Sequence, residues 1–130
     1  MLSFSPHARI YIATDPTDLR KGFDGLSALV QRDLGRDPIH GGVYVFLNRR
    51  LTQLRALFWD RDGYCYIAKR LESGTFRRVD GPGGRKYLEV EAAELAMLLA
   101  GIDVEQIRRR KRFRTRSESS QNAQAIALRC

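Results

Sequence analysis

Seven cations crowd nine residues near the end of the chain: Arg108, Arg109, Arg110, Lys111, Arg112, Arg114 and Arg116, broken only by Phe113 and Thr115. Such a run repels itself unless anions neutralise it. Arginine outnumbers lysine six to one in it, and the planar guanidinium fork matches a pair of phosphate oxygens. The chemistry expected of this run is therefore contact with DNA phosphates, against the plainer reading of a solvated tail. Backbone contacts of this kind position a protein without reading bases.

A second chemistry is suggested by Asp15, Asp18, Asp24, Asp60 and Asp62, because carboxylates that clamp metal ions at a phosphodiester would make a metal-dependent nuclease acting on DNA. Turn formation explains most of them more simply. Asp15 and Asp18 flank Pro16 and cap a helix, and Asp60 and Asp62 shape a hairpin. His7 and His40 fit no serine or cysteine triad. The loop Gly81 to Gly84 lacks the Lys-Ser/Thr ending of a phosphate-binding loop. Cys65 and Cys130 form neither a Cys-x-x-Cys pair nor a zinc constellation. The expectation is a protein that is no enzyme and holds no metal or cofactor.

Charge is divided unevenly along the 130 residues. Residues 1–107 carry 15 Lys/Arg against 14 Asp/Glu, a net charge of +1, whereas residues 108–130 carry eight against one, a net charge of +7. This division predicts a nearly neutral domain, 1–107, followed by a basic and flexible tail, 108–130. No apolar run nears the roughly 20 residues that span a bilayer, and the first residues do not read as a secretory signal. A cytoplasmic protein with no membrane partner is expected.

Several elements must position these groups. Arg9 to Ala13 has the β-branched and aromatic content of a strand. From Leu19 the apolar positions Leu19, Phe23, Leu26, Val30 and Leu34, with Leu29 beside them, lie at helical spacing, and Gly35 suits a C′ residue. Gly22 and Gly25 within this helix each cost about 1 kcal/mol relative to Ala, which points to some other demand on the backbone there. Val43 to Leu47 is apolar on both faces and reads as a central strand. Turns at Asn48-Arg49-Arg50, at Asp60 to Gly63 and at Glu72-Ser73-Gly74 lead into strands over Leu51 to Trp59, Tyr64 to Leu71 and Thr75 to Val79. In the second turn Asp-Gly is expected to supply the positive φ. After the connector Asp80 to Lys86 come a short strand over Tyr87 to Val90 and a helix from Glu91 that Gly101 closes. The fold class is α+β: an antiparallel β-meander packed against an N-terminal helix, with a C-terminal helix and basic tail.

Two further readings concern nucleic acid. Leu95 to Ala100 and Val104 to Arg112 resemble a helix-turn-helix only loosely, because the second segment has few apolar residues. The Asp60 hairpin brings Trp59 and Tyr64 together, with Leu57, Tyr66 and Arg55 beyond, a face that could stack bases. Core packing is the preferred role for Leu57 and Tyr66, and Trp59 is left open between the two. If the tail is not the site, Arg49, Arg50, Arg55, Arg77 and Arg78 near the sheet turns are the next candidates.

Five blocks in order carry a resemblance: Thr17-Asp18-Leu19-Arg20-Lys21-Gly22-Phe23-Asp24-Gly25-Leu26, Val43-Tyr44-Val45-Phe46, Leu57-Phe58-Trp59-Asp60-Arg61-Asp62-Gly63, Lys69-Arg70-Leu71-Glu72-Ser73-Gly74 and Leu95 to Asp103. From about Ile10 to Val104 the chain resembles the TnpB accessory proteins encoded by the second reading frame of bacterial insertion sequences of the sixty-six class. The resemblance implies a role in DNA transposition beside a separate, larger transposase that carries the strand-transfer carboxylates. It does not imply the RNA-guided nuclease that shares the TnpB label. No catalytic residue carries over. What carries over is position: Arg20, Lys21, Gly22, Phe23, Asp24 and Gly25; Trp59, Asp60, Asp62 and Gly63; Lys69, Arg70, Leu71 and Glu72. Arg61 departs from the expected pattern, where a second small residue would stand. The partners implied are DNA and the transposase of the same element. Were Phe23 part of the core stripe, Phe23→Ala would lower stability by about 3 to 5 kcal/mol.

Overall fold

The structure, a computed structural model, describes residues 7–100. Five strands form one mixed sheet in the order β4-β3-β2-β1-β5. They are β1 (Ile10–Ala13), β2 (Val43–Leu47), β3 (Gln53–Asp60), β4 (Gly63–Arg70) and β5 (Tyr87–Val90), with helices α1 (Gly22–Leu34) and α2 (Ala92–Leu99). The α+β class and the antiparallel run β2-β3-β4 agree with the reading of the sequence. The pattern alone did not reveal that β1 lies parallel to β2 or that β5 closes the other edge antiparallel to β1. Parallel neighbours need a long crossover, and α1 provides it.

Each face of the sheet has its own core. Alternation along the strands sends Tyr11, Ala13, Tyr44, Phe46, Leu57 and Tyr87 to one side, where Leu19, Leu26 and Val30 cover them. Ile10, Ile12, Val43, Val45, Leu47, Leu54, Ala56 and Val90 face the other side, beneath Leu95, Leu98, Phe76 and Val79. Phe76 and Val79 lie in the segment expected to be a fourth meander strand, but residues 75–79 form none. The Phe76 N–H donates to the Leu51 carbonyl at 2.7 Å, so this backbone is satisfied by the β2–β3 turn rather than by a ladder. The burial signal was real and the pairing was not.

Helix α2 starts where expected. Glu91 and Glu94 form a reciprocal capping box at its N-terminus. The expected stop at Gly101, the second segment of the helix-turn-helix and the tail lie outside the described residues.

The N-terminal helix is broken, in contrast to the continuous stripe expected from Leu19. Asp18 caps a short 3-10 turn, Leu19–Lys21, by accepting from the Arg20 N–H. Gly22 then takes φ 71° and ψ −169° before α1 begins, a region that only glycine occupies without strain. A Cβ at Gly25 would sit 2.6 Å from the Lys21 Cβ. These are the backbone demands that both glycines signalled. Because a 3-10 turn advances the chain differently from an α-turn, the register that buries Leu19 does not extend to Phe23. Phe23 is 41% exposed, and its ring lies 4.4 Å from that of Tyr66. Its removal is now expected to cost about 0.5–1.5 kcal/mol, the worth of an aromatic pair, rather than a core cavity.

The β3–β4 turn also differs from expectation. Arg61, not the Asp-Gly pair, holds the positive φ of 52°, and Gly63 pairs with Asp60 inside the ladder.

Two substitutions test these backbone assignments by denaturant unfolding. Gly22→Ala is expected to lower stability by about 1–3 kcal/mol, whereas Arg61→Gly is expected to raise it by about 0.5–1 kcal/mol through relief of the left-handed position. A Gly22→Ala protein as stable as the parent would contradict the break before α1.

Candidate nucleic-acid interface

The loops that follow β1 and β2 lie at the same end of the sheet because the two strands are parallel. In open sheets, ligands commonly bind beyond the carboxyl ends of such strands. Here the Thr17 N–H donates to the Leu47 carbonyl at 2.8 Å and ties the two loops together. Between them opens a cleft of about 720 Å³ whose charged lining is Asp18, Arg20, Arg49, Arg50 and Arg55.

The β2–β3 turn is stiffened by one side chain. The Asn48 Oδ1 accepts from the Thr52 N–H at 2.9 Å and the Gln53 N–H at 3.0 Å, and its Nδ2 donates to the Thr52 hydroxyl at 3.1 Å. Leu51 completes the turn at φ 58°. Arg49 and Arg50 are thereby displayed on its exposed tip, and neither makes an ion pair among the described residues.

Arg55 is held more firmly. Its Nη1 donates to the Leu19 carbonyl at 2.6 Å, and its guanidinium lies 4.8 Å from the centre of the Tyr66 ring. Arg20 donates from Nε and Nη2 to the two Asp18 oxygens, each at 3.0 Å. This fork, with the Arg20 N–H, holds the Asp18 carboxyl down at about 2 against an ordinary 3.8. Four arginines thus meet one carboxylate that is already engaged.

The groups singled out in the sequence are distributed as follows. Arg108, Arg109, Arg110, Lys111, Arg112, Arg114 and Arg116 lie outside the described residues. Of the family-block positions, Arg20 lines the cleft, while Lys21, Gly22, Phe23, Asp24 and Gly25 shape the entry to α1. Trp59, Asp60, Asp62 and Gly63 form the β3–β4 hairpin end. Lys69 Nζ donates to the Leu99 carbonyl at 2.8 Å and so caps α2. The Leu71 N–H donates to the Thr52 carbonyl, and Arg70 pairs with Glu72. The hairpin blocks stand at opposite ends of β4, an eight-residue strand spanning roughly 24 Å, so the blocks do not form one site.

The same separation disperses the five aspartates. Asp15 and Asp18 lie at the cleft end and Asp60 and Asp62 at the far end, and no three His, Cys, Asp or Glu residues gather into a metal-holding group among the described residues. The aromatic face expected either to stack bases or to serve as core is taken by α1. Tyr64 shares a 2.9 Å hydrogen bond with Ser27, Tyr66 lies against Phe23, and Leu57 is fully buried. Trp59, the residue left open, is half-buried with its ring edge-on to Tyr64 at 4.9 Å. Of the arginines named as next candidates, Arg49, Arg50 and Arg55 do converge. Arg20 was not grouped with them, because nothing in its local sequence shows that α1's entry abuts the β2–β3 turn.

Among the described residues, no helix is long and apolar enough to cross a membrane. A family model described as IS66 Orf2 like protein matches residues 8–109. Among curated proteins, two from Sinorhizobium fredii (strain NBRC 101917 / NGR234) are similar. The uncharacterized protein y4jC is 37% identical over 110 residues, covering 85% of this chain and 92% of its own length. The uncharacterized protein y4hO is 37% identical over 103 residues, covering 79% and 88%. No solved structure gives a significant match.

The Asp18 fork carries a pH consequence. A carboxylate whose folded value is depressed stabilises the fold above its ordinary 3.8 and ceases to do so as pH falls through about 2. Carbon-13 titration of Asp18 should give a midpoint near 2 that moves toward 3.8 in Arg20→Ala protein. An unmoved midpoint would show that the guanidinium is not the cause.

Proposed function

The chain belongs to the IS66 Orf2-like family, and from that premise we propose that it is a transposition accessory protein that binds DNA, the element's transposase, or both, without catalysing strand transfer. The observation that carries the DNA-binding part is the charge division: residues 1–107 have a net charge of +1 and residues 108–130 one of +7. A neutral domain with an arginine-rich arm attaches to polyanions mainly through the arm. The contact is with phosphates, so it is tolerant of sequence.

The accessory reading is supported by the dispersal of the carboxylates that a nuclease would gather, since no metal-holding group of three forms among the described residues. Asp18 is engaged by Arg20, and Asp60 and Asp62 flank Arg61 in a tight turn at the other end of the sheet. Catalysis then rests with a separate transposase, for which this chain supplies binding alone.

Fluorescence anisotropy with a random-sequence DNA duplex tests the reading. If about five of the arm's cations reach phosphates, log affinity falls with log salt at a slope of about −4 to −5. Replacement of all seven arm cations by glutamine should remove most of the affinity and flatten the slope, while leaving chain length unchanged. No cleavage of single- or double-stranded DNA is expected with magnesium or manganese. Metal-dependent nicking that disappears in Asp60→Asn or Asp15→Asn protein would replace this reading with the nuclease.

A further inference from the structure

We infer that the arginine cleft at the carboxyl ends of β1 and β2 is a second phosphodiester-backbone site, on the folded body, that engages the same nucleic-acid strand as the arm. The inference rests on the DNA-binding reading and adds to it a place on the domain.

Four observations support it. First, the cleft contains Arg20, Arg49, Arg50 and Arg55 against the single carboxylate Asp18. Asp18 is consumed by its fork with Arg20, so the remaining cations face the opening uncompensated. Second, the cations are presented by ordered backbone rather than by a floppy loop. Asn48 fixes the turn that bears Arg49 and Arg50, and Arg55 is anchored on the Leu19 carbonyl and the Tyr66 ring. A held guanidinium such as that of Arg55 loses little freedom when it meets phosphate oxygens, and a stiff turn spares Arg49 and Arg50 the cost of ordering their backbone.

Third, size and shape suit a polymer better than an ion. A lone phosphate would leave most of the roughly 720 Å³ cleft empty, and its mouth is flanked by the exposed Arg49 and Arg50, which can follow a backbone. Fourth, α2 ends at this end of the sheet. Lys69 pairs with Leu54, which in turn pairs with Leu47 at the end of β2, and Lys69 holds the Leu99 carbonyl at 2.8 Å. Eight residues separate Leu99 from Arg108, a reach of at most about 30 Å. One strand can therefore lie in the cleft and meet the arm. The opposite end of the sheet is unsuited to this, since Arg61 there stands between Asp60 and Asp62.

The test uses full-length chains and anisotropy titrations over a range of salt, with a random-sequence duplex and a single strand of the same length. Arg49→Gln/Arg50→Gln protein should bind the preferred form roughly tenfold or more weakly near 0.1 M salt, with a salt slope shallower by about 2. Arg9→Gln/Arg61→Gln protein loses the same charge at the far end of the sheet and should stay close to the parent. Protein with all seven arm cations replaced should retain a residual affinity that the Arg49→Gln/Arg50→Gln change then abolishes. Both arginines are exposed, so thermal melts of these variants should match the parent and exclude unfolding as the cause. If Arg49→Gln/Arg50→Gln protein binds like the parent while the arm variant loses everything, the cleft inference fails and the DNA-binding reading stands. The cleft inference also fails if the far-end variant weakens binding as much as the cleft variant, because net charge alone then accounts for the effect. If the parent binds neither nucleic acid, both readings fall.

Discussion

The structure depends on burying β2 on both faces. All of Val43–Leu47 is withdrawn from water, with Tyr44 and Phe46 on the α1 side and Val43, Val45 and Leu47 on the other. Burial of side chains of this size contributes on the order of 1.5–3 kcal/mol each, provided both faces are covered. That requirement places α1 over one face and α2 with the residues 75–79 segment over the other. It also sets a problem at Tyr44, whose hydroxyl would cost about 1–3 kcal/mol if buried unpaired. The hydroxyl donates to the Gly41 carbonyl at 3.0 Å and accepts from Arg36 Nε at 3.1 Å. Gly42 must leave space for it, since a Cβ there would stand 2.6 Å from the hydroxyl oxygen. One buried phenol thus fixes the residues that lead into the central strand.

From the same constraint follows the location of the cleft. A crossover helix on the Tyr44 face makes β1 and β2 parallel neighbours, and parallel neighbours end together. The loops after them are then forced onto one end of the sheet, and both are rich in polar groups because neither can be buried. The β2–β3 turn brings Arg49 and Arg50 to that end, β3 brings Arg55, and the Lys69 contact brings the end of α2.

Much of this was legible in the sequence, and the failures have identifiable causes. Strand content over β1 to β5 and the span of α1 were readable because alternation and helical spacing are local properties. Strand order was not, because the parallel pairing of β1 with β2 leaves no local signature. Residues 75–79 were read as a strand because they follow the Glu72-Ser73-Gly74 turn, yet their partners are core side chains and a turn carbonyl rather than a neighbouring strand. Phe23 was misplaced because the spacing from Leu19 assumes one unbroken helix, although Gly22 flagged a backbone demand at that point. The individual arginines of the cleft could be named near turns, but their convergence is a tertiary fact.

The residues that carry the family resemblance do mostly architectural work in this fold. Gly22 and Gly25 allow the break before α1, Asp60 and Gly63 close the hairpin, and Lys69 supplies the cation at the C-terminus of α2, where the helix dipole favours one. Arg20 is the exception, and even it is held by Asp18. The blocks therefore identify a scaffold and say little about its ligand. The exposed cations of the cleft that make no ion pair among the described residues, Arg49 and Arg50, fall between the blocks, and the arm falls beyond them. Surface charge at such positions can vary with little cost in stability wherever the side chains are solvated, so the constraints that set this fold leave the charge of the cleft's rim free.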